Sequence, residues 1–216
     1  MLSRALIAAS ALLFAPAAYA ADLIVDAPYV PGVVEASNPS IYVQLLGGAA
    51  LGTGTTYVDG LGIDPEDYEL LNGYAFAAAV GVVVIDGLSI EADVFHAYRD
   101  YDPDVNALGD GYSWYSTSLM ANVKYSVEVS DMFSVYGAAG LGMIYGTDVY
   151  PTDSFDHSGP GYQLIVGASA EVADNIAVVG EIRYQDSFSP LEYDLNPDAT
   201  EDISTTSALV GLKIGF

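Results

Sequence analysis

Thr205-Thr-Ser-Ala-Leu-Val-Gly-Leu-Lys-Ile-Gly-Phe216 closes the chain, and reading it by twos separates it into two unlike sets. Ala208, Val210, Leu212, Ile214 and Phe216 fall on one side, while Thr205, Ser207, Leu209, Gly211, Lys213 and Gly215 fall on the other. Successive side chains of a strand point to opposite faces. The stretch therefore reads as a strand with one wholly apolar face and a second face that admits a lysine.

Three earlier stretches split in the same way. In 88–99, Leu88, Ile90, Ala92 and Val94 oppose Glu91, Asp93 and Arg99. In 176–188, Ile176, Val178, Ile182 and Tyr184 oppose Glu181, Arg183 and Gln185. In 112–128, Leu119, Ala121, Val123 and Tyr125 oppose Ser116, Ser118, Asn122 and Lys124. A strand that crosses lipid needs an apolar outer face and can carry polar groups on the inner one. The stretch 73–85 is apolar on both faces, with Ala75, Ala77, Ala79, Gly81, Val83 and Ile85 expected inward.

Strands are expected at 40–51, 73–85, 88–99, 112–128, 133–146, 161–172, 176–188 and 204–216. Between them, very short connections at Asp86-Gly87, 129–132 and 173–175 alternate with long ones at 52–72, 100–111, 147–160 and 189–203. Short turns at one end and long loops at the other, joining alternating strands, are the plan of a transmembrane barrel. The expected fold is all-β: an eight-stranded antiparallel up-and-down transmembrane β-barrel. A modest internal echo fits a hairpin repeat, since Ser126-Val-Glu-Val-Ser-Asp131 aligns with Ser169-Ala-Glu-Val-Ala-Asp174.

Composition narrows the function. Among 216 residues, 29 are Asp or Glu and 5 are Lys or Arg, for a formal charge of −24, yet 52% are hydrophobic and 17 are Tyr. Disordered acidic chains are poor in apolar and aromatic residues, so the chain is not one of them. The absence of any basic cluster excludes nucleic acid as a partner. With no Cys, disulfides, zinc–thiolate clusters and a Cys nucleophile are excluded as well.

The N-terminus reads as an address. Arg4, the apolar run Ala5–Ala15 and then Ala18-Tyr19-Ala20 follow the order of a signal peptide, with cleavage expected after Ala20. Residues 1–20 are expected to be this signal, 21–39 a Pro-rich periplasmic leader, and 40–216 the barrel. The longest later apolar run, Tyr74–Ile85, has 12 residues, where a spanning helix needs about 20.

Removal of the signal leaves four basic residues, Arg99, Lys124, Arg183 and Lys213, each on the inward side of a strand. Inward Glu91, Asp93, Glu171 and Glu181 are the expected counter-charges. A charge facing lipid costs about 2–4 kcal/mol at mid-membrane. These eight residues are therefore expected to form a charge network plugging a lumen just wide enough for side chains, with Glu91–Lys124 as a cross-strand pair. Tyr98, Tyr115, Tyr145, Tyr162 and Tyr184 point outward near the long-loop end, and Tyr125, Phe133 and Phe216 near the other, as two interfacial belts.

Residues for catalysis or metal binding are few. His96 falls on the outward face beside Tyr98 with no outward Ser in its own strand, and His157 lies in a stretch expected to be a solvated loop. Asp100-x-Asp102-x-Asp104-x-Asn106 has the opening spacing of a calcium loop, but Val105 replaces the required Gly and Gly111 stands where the bidentate Glu belongs. No catalytic, cofactor or specific metal site is expected, only divalent cations held loosely by acidic loops.

With the signal followed by Ala21-Asp22, the Pro-rich leader, Ile41-Tyr-Val-Gln-Leu-Leu-Gly-Gly48 and Val210-Gly-Leu-Lys-Ile-Gly-Phe216, the chain resembles the small outer-membrane β-barrel family. That family includes OmpA/OmpX-type transmembrane domains and α-proteobacterial surface-antigen, or porin-family, barrels. The resemblance implies a place in the cell outer membrane. It also implies that Phe216, as a C-terminal aromatic, is part of the signal read by the barrel-assembly machinery. Outer-membrane lipids and lipopolysaccharide are the implied surroundings. The resemblance is not expected to extend to a peptidoglycan-binding domain after the barrel, so no cell-wall tether is implied. The expected function is that of a structural, surface-exposed barrel serving envelope integrity and surface contacts. The alternatives are a small porin-like channel for solutes or a lipid-modifying outer-membrane enzyme.

Overall fold

The computed structural model describes residues 40–52, 55–56, 58–59, 68–102, 111–189, 191–193, 196–201 and 204–216. Residues 1–39, where the signal peptide and leader are expected, and most of the loop tested above for calcium lie outside the described residues. Eight long strands form the barrel: β1 (Ile41–Leu51), β2 (Gly73–Ile85), β3 (Leu88–Asp100), β4 (Ser113–Ser130), β5 (Phe133–Val149), β6 (Ser154–Ala173), β7 (Ile176–Ser187) and β8 (Thr205–Gly215). Each pairs antiparallel with its chain neighbours, and β8 returns to pair with β1 from Tyr42↔Gly215 to Leu51↔Thr206. The Phe216 N–H donates to Ile41 O at 2.8 Å, completing the seam. The result is a closed eight-stranded antiparallel barrel.

Local chemistry explains the tight end. Gly87 takes φ 76° in the Asp86-Gly87 turn, and Asn175 takes φ 62° between β6 and β7. Both residue types tolerate left-handed backbone. Burial alternates residue by residue along β3 and β7, following the polar–apolar alternation of their sequences. The outward face is apolar, with Leu45, Val80, Val123, Leu141, Val210 and Leu212 all exposed. A contiguous apolar surface of this kind does not persist in water. It spans the height between outward Tyr74, Tyr98, Tyr115 and Tyr145 at one end and Tyr125, Phe133 and Phe216 at the other. In the upper belt the Tyr74 and Tyr98 rings stack with centroids 5.1 Å apart.

The long-loop end departs from expectation in two places. Residues 147–160, expected as a loop, continue the β5–β6 ladder as far as Val149↔Ser154, leaving a tip closed by Tyr150 N–H donating to Asp153 O at 2.8 Å. The misleading signal is Pro160. It sits between the last β7 pairing, at Gly161, and the first pairing of a short extra strand, at Ser158. Its missing N–H therefore breaks no ladder bond on that side. The second departure is that extra strand itself: within 189–203, Leu191–Tyr193 and Asn196–Glu201 form a hairpin that extends the sheet from β6 and pairs onward with Val58–Asp59. At the tight end, a bulge between Val83 and Ile85 turns Ile85 out to the surface instead of inward.

Candidate functional site

The interior holds two polar layers and an apolar cluster. The layer nearer the tight turns begins at Tyr42, whose hydroxyl donates to Glu91 Oε1 (2.7 Å) and lies 3.0 Å from Ser89 Oγ, from which it can accept. Lys124 Nζ meets Glu91 at 2.8 Å and Gln44 Oε1 at 3.3 Å. The same ammonium stands 4.1 Å from the Tyr136 ring centre and 5.3 Å from that of Tyr42. Gln44 passes the network on to Glu181 Oε2 (3.2 Å), which also accepts from the Tyr136 hydroxyl at 2.8 Å.

Arg183 is the hub. Its two terminal nitrogens reach the two oxygens of Asp93 at 2.7 and 3.1 Å, and the second of them also reaches Glu181 Oε1 at 2.8 Å. The guanidinium stacks over Phe95 with 5.0 Å to the ring centre. Gln163 links Asp93 to Asn122 (3.2 and 2.5 Å), and Gln185 links Gln163 to Ser118, both at 2.8 Å. All of these groups are buried. Burying charges is tolerated where partners and hydrogen bonds surround them, as the planar guanidinium fork does here.

Toward the long loops the second layer is organised around Trp114. Its indole N–H donates to His157 Nε2 at 3.4 Å, and the Arg99 guanidinium lies 4.7 Å above its ring. Arg99 also donates to Ser204 O and Thr205 Oγ1 at 3.3 and 3.1 Å. Tyr101 donates to Asp148 Oδ1 at 2.6 Å, and Asp148 Oδ2 lies 3.7 Å from His157 Nδ1. Leu46, Ala75, Ala77, Phe95, Val179 and Leu209 form an apolar cluster packed beside the first polar network. Leu191, from the extra hairpin, is 1% exposed and packs with Met120 and Ile144.

The structure thus brings Glu91, Asp93, Lys124, Glu181 and Arg183 together and places Arg99 in the separate upper layer. Glu171 is not in the interior: β6 overhangs its neighbour at a bulge between Ile176 and Ala177, and Glu171 is exposed at the rim. Lys213 is half-buried beside Tyr42, 5.7 Å from its ring centre, and among the described residues neither it nor Glu171 makes an ion pair. His157, expected in a solvated loop, is 1% exposed, because the strand carrying it continues past the belt and turns it inward.

Sequence reasoning did not single out Tyr42, Tyr136, Gln163 or Trp114 as members of these layers. The missed signal was pairing: Tyr42 lies opposite Gly81, and Tyr136 opposite Gly167. A Cβ added at either glycine would collide with the tyrosine ring. Outside the lumen, His96 Nδ1 and Thr117 Oγ1 are 3.0 Å apart on the lipid-facing wall, so the neighbouring strand supplies a Thr beside His96. Among the described residues, no group of three His, Cys, Asp or Glu side chains is placed to hold a metal ion.

Comparison with known proteins places this geometry. The family model described as "Outer membrane protein beta-barrel domain" matches residues 5–216. No curated protein matches. Among solved structures, the chain is similar to the Neisserial surface protein A, NspA, at 14% identity, covering 83% of this chain and 100% of that one with a TM-score of 0.58. It is also similar to the outer membrane protease OmpT of Escherichia coli, at 11% identity, 84% and 99% coverage and a TM-score of 0.52. A third is a major outer membrane protein of Thermus thermophilus, at 16% identity, 82% and 99% coverage and a TM-score of 0.50. At these identities the likeness is one of fold.

Proposed function

Because the chain belongs to the outer membrane protein β-barrel family, we propose that it works as a structural, surface-exposed wall element of the cell outer membrane, supporting envelope integrity and surface contacts. The observation that supports this reading is the filled lumen. Two polar layers and an apolar cluster occupy it, with Trp114, Arg99, Arg183, Phe95 and His157 all fully buried. An eight-stranded barrel has room for side chains and little else. A buried ion network anchored on β1, β3, β4 and β7 braces the wall from within and opposes a continuous water path.

The partners that fit this role are outer-membrane lipids and lipopolysaccharide around the apolar wall, and divalent cations held loosely by the acidic loops. Phe216, 78% exposed on the outward face, fits as the end read by the barrel-assembly machinery. Proteolysis belongs to the similar outer membrane protease itself; at 11% identity the likeness carries the fold and no role.

Planar-bilayer recording on the purified barrel tests the proposal. The expected record is flat. Discrete, reproducible conductance steps would favour the small-channel reading instead.

A further inference from the structure

On the outer wall, a groove of about 590 Å³ runs across β1 to β5. Ala78, Ala92 and Ala121 form its floor, because a side chain that stops at Cβ leaves space. Leu119, Leu141 and Met143 form its walls. All six are outward-facing and exposed. Strand register fixes what lies at its upper end. The row Ala78–Val94–Leu119–Met143 is followed, one outward step toward the long loops, by Phe76–His96–Thr117–Tyr145. His96 and Thr117 are hydrogen-bonded to each other there, with the Tyr74 and Tyr115 ring centres 6.5 and 6.0 Å from the imidazole. The groove therefore ends in a polar pair at the height of the aromatic belt, the level at which lipid headgroups begin.

We propose that this groove seats one acyl chain of an outer-leaflet lipid and that the His96–Thr117 pair holds the ester or amide carbonyl at the head of that chain. The proposal rests on the lipid contact suggested above and names its place and chemistry. The pair must present a donor. A neutral imidazole has one donor and one acceptor nitrogen. If the Thr117 hydroxyl donates to Nδ1, then Nε2 carries the hydrogen; if Nδ1 donates to Oγ1, the hydroxyl hydrogen is left over. Each tautomer leaves one donor, and a polar group facing lipid is costly without a partner. A carbonyl oxygen is the complementary group. A phosphate is not, since Arg99, Lys124 and Arg183 are buried inside and Lys213 also lies on the inward face, so no outward Lys or Arg stands among the described residues.

The test is native mass spectrometry of the intact barrel released from detergent micelles after incubation with palmitoyl-oleoyl phosphatidylethanolamine. Wild type is expected to keep one lipid. Ala92→Phe and Ala121→Phe, which fill the groove with apolar bulk, are expected to lose it. Val178→Phe on β7, across the barrel from the groove, should keep it. His96→Leu combined with Thr117→Val should weaken retention about fivefold, the loss of one hydrogen bond. Heat-dependent gel mobility, read on every variant, identifies those that are folded. Equal retention by all folded variants, meaning a nonspecific shell, or no retention by folded wild type would overturn the seat while leaving the lipid-spanning barrel intact. Retention unchanged in the His96–Thr117 double variant would overturn the role of the pair.

Discussion

Tyr42 on β1 lies across Gly81, its partner on β2, so closely that a Cβ at position 81 would fall within the tyrosine ring. The same Tyr42 then reaches Glu91 and Ser89 on β3. The glycine is the space through which the first strand is tied to the third. Gly81→Ala should destabilise the barrel by about 1–3 kcal/mol, the usual cost of overpacking a filled interior. The temperature at which the folded band disappears from an unheated-versus-heated gel series would show it. An unchanged transition would mean that the ring can move aside.

Arg183 neutralises two buried carboxylates at once, Asp93 and Glu181. Arg183→Met leaves both without a counter-charge, and removing one partner of a buried ion pair costs about 3–5 kcal/mol. The urea midpoint in detergent should fall accordingly. Adding Asp93→Asn and Glu181→Gln to the same chain should recover much of the loss, because the stranded charges are then gone. A triple variant no better than the single one would place the damage in packing instead.

Depth on the outer wall can be read by charge. Leu212 pairs with Leu45 in mid-wall, whereas Thr206, six residues nearer the long loops on the same strand, lies opposite Tyr184 of the belt. Leu212→Arg should cost about 2–4 kcal/mol and Thr206→Arg about 0–1 kcal/mol, as arginine does at the midplane and at the interface of outer-membrane barrels. Refolding titrations into lipid vesicles measure both. Equal costs would contradict the assigned height of the membrane.

Phe216 offers its ring to the outside while its backbone closes the seam. Phe216→Ala is expected to lower the amount of assembled barrel in cells several-fold while purified protein still refolds in detergent. Loss of both would mark Phe216 as a stability residue, and loss of neither would dismiss the assembly role.

The wall was legible in the sequence because a period of two leaves no freedom once one face must be apolar. Val210, Leu212 and Ile214 stand outward, and Thr205, Ser207 and Leu209 inward, as the alternation in 204–216 requires. Two things were not legible. Membership of the lumen layers depends on which residues meet across the interior: Gln163 bonds to Asp93, 70 positions away, and no local pattern records that distance. The height of the strands above the belt was hidden as well, because Gly159, Pro160 and Gly161 mimic a loop. There the pairing with β7 ends at Gly161 and a short strand from another loop takes over at Ser158, so the N–H that Pro160 lacks breaks no ladder bond on that side.

The seam between Ile41 and Phe216 has a bearing on how the chain is made. β8 is synthesised after the other seven barrel strands, and it pairs with β1 on one side and β7 on the other. Until it arrives, both of those neighbours are open edges with unsatisfied N–H and C=O groups, the feature that invites pairing with foreign strands. Closure is a single event, and the quality of the whole wall depends on delivering the eleven residues of β8.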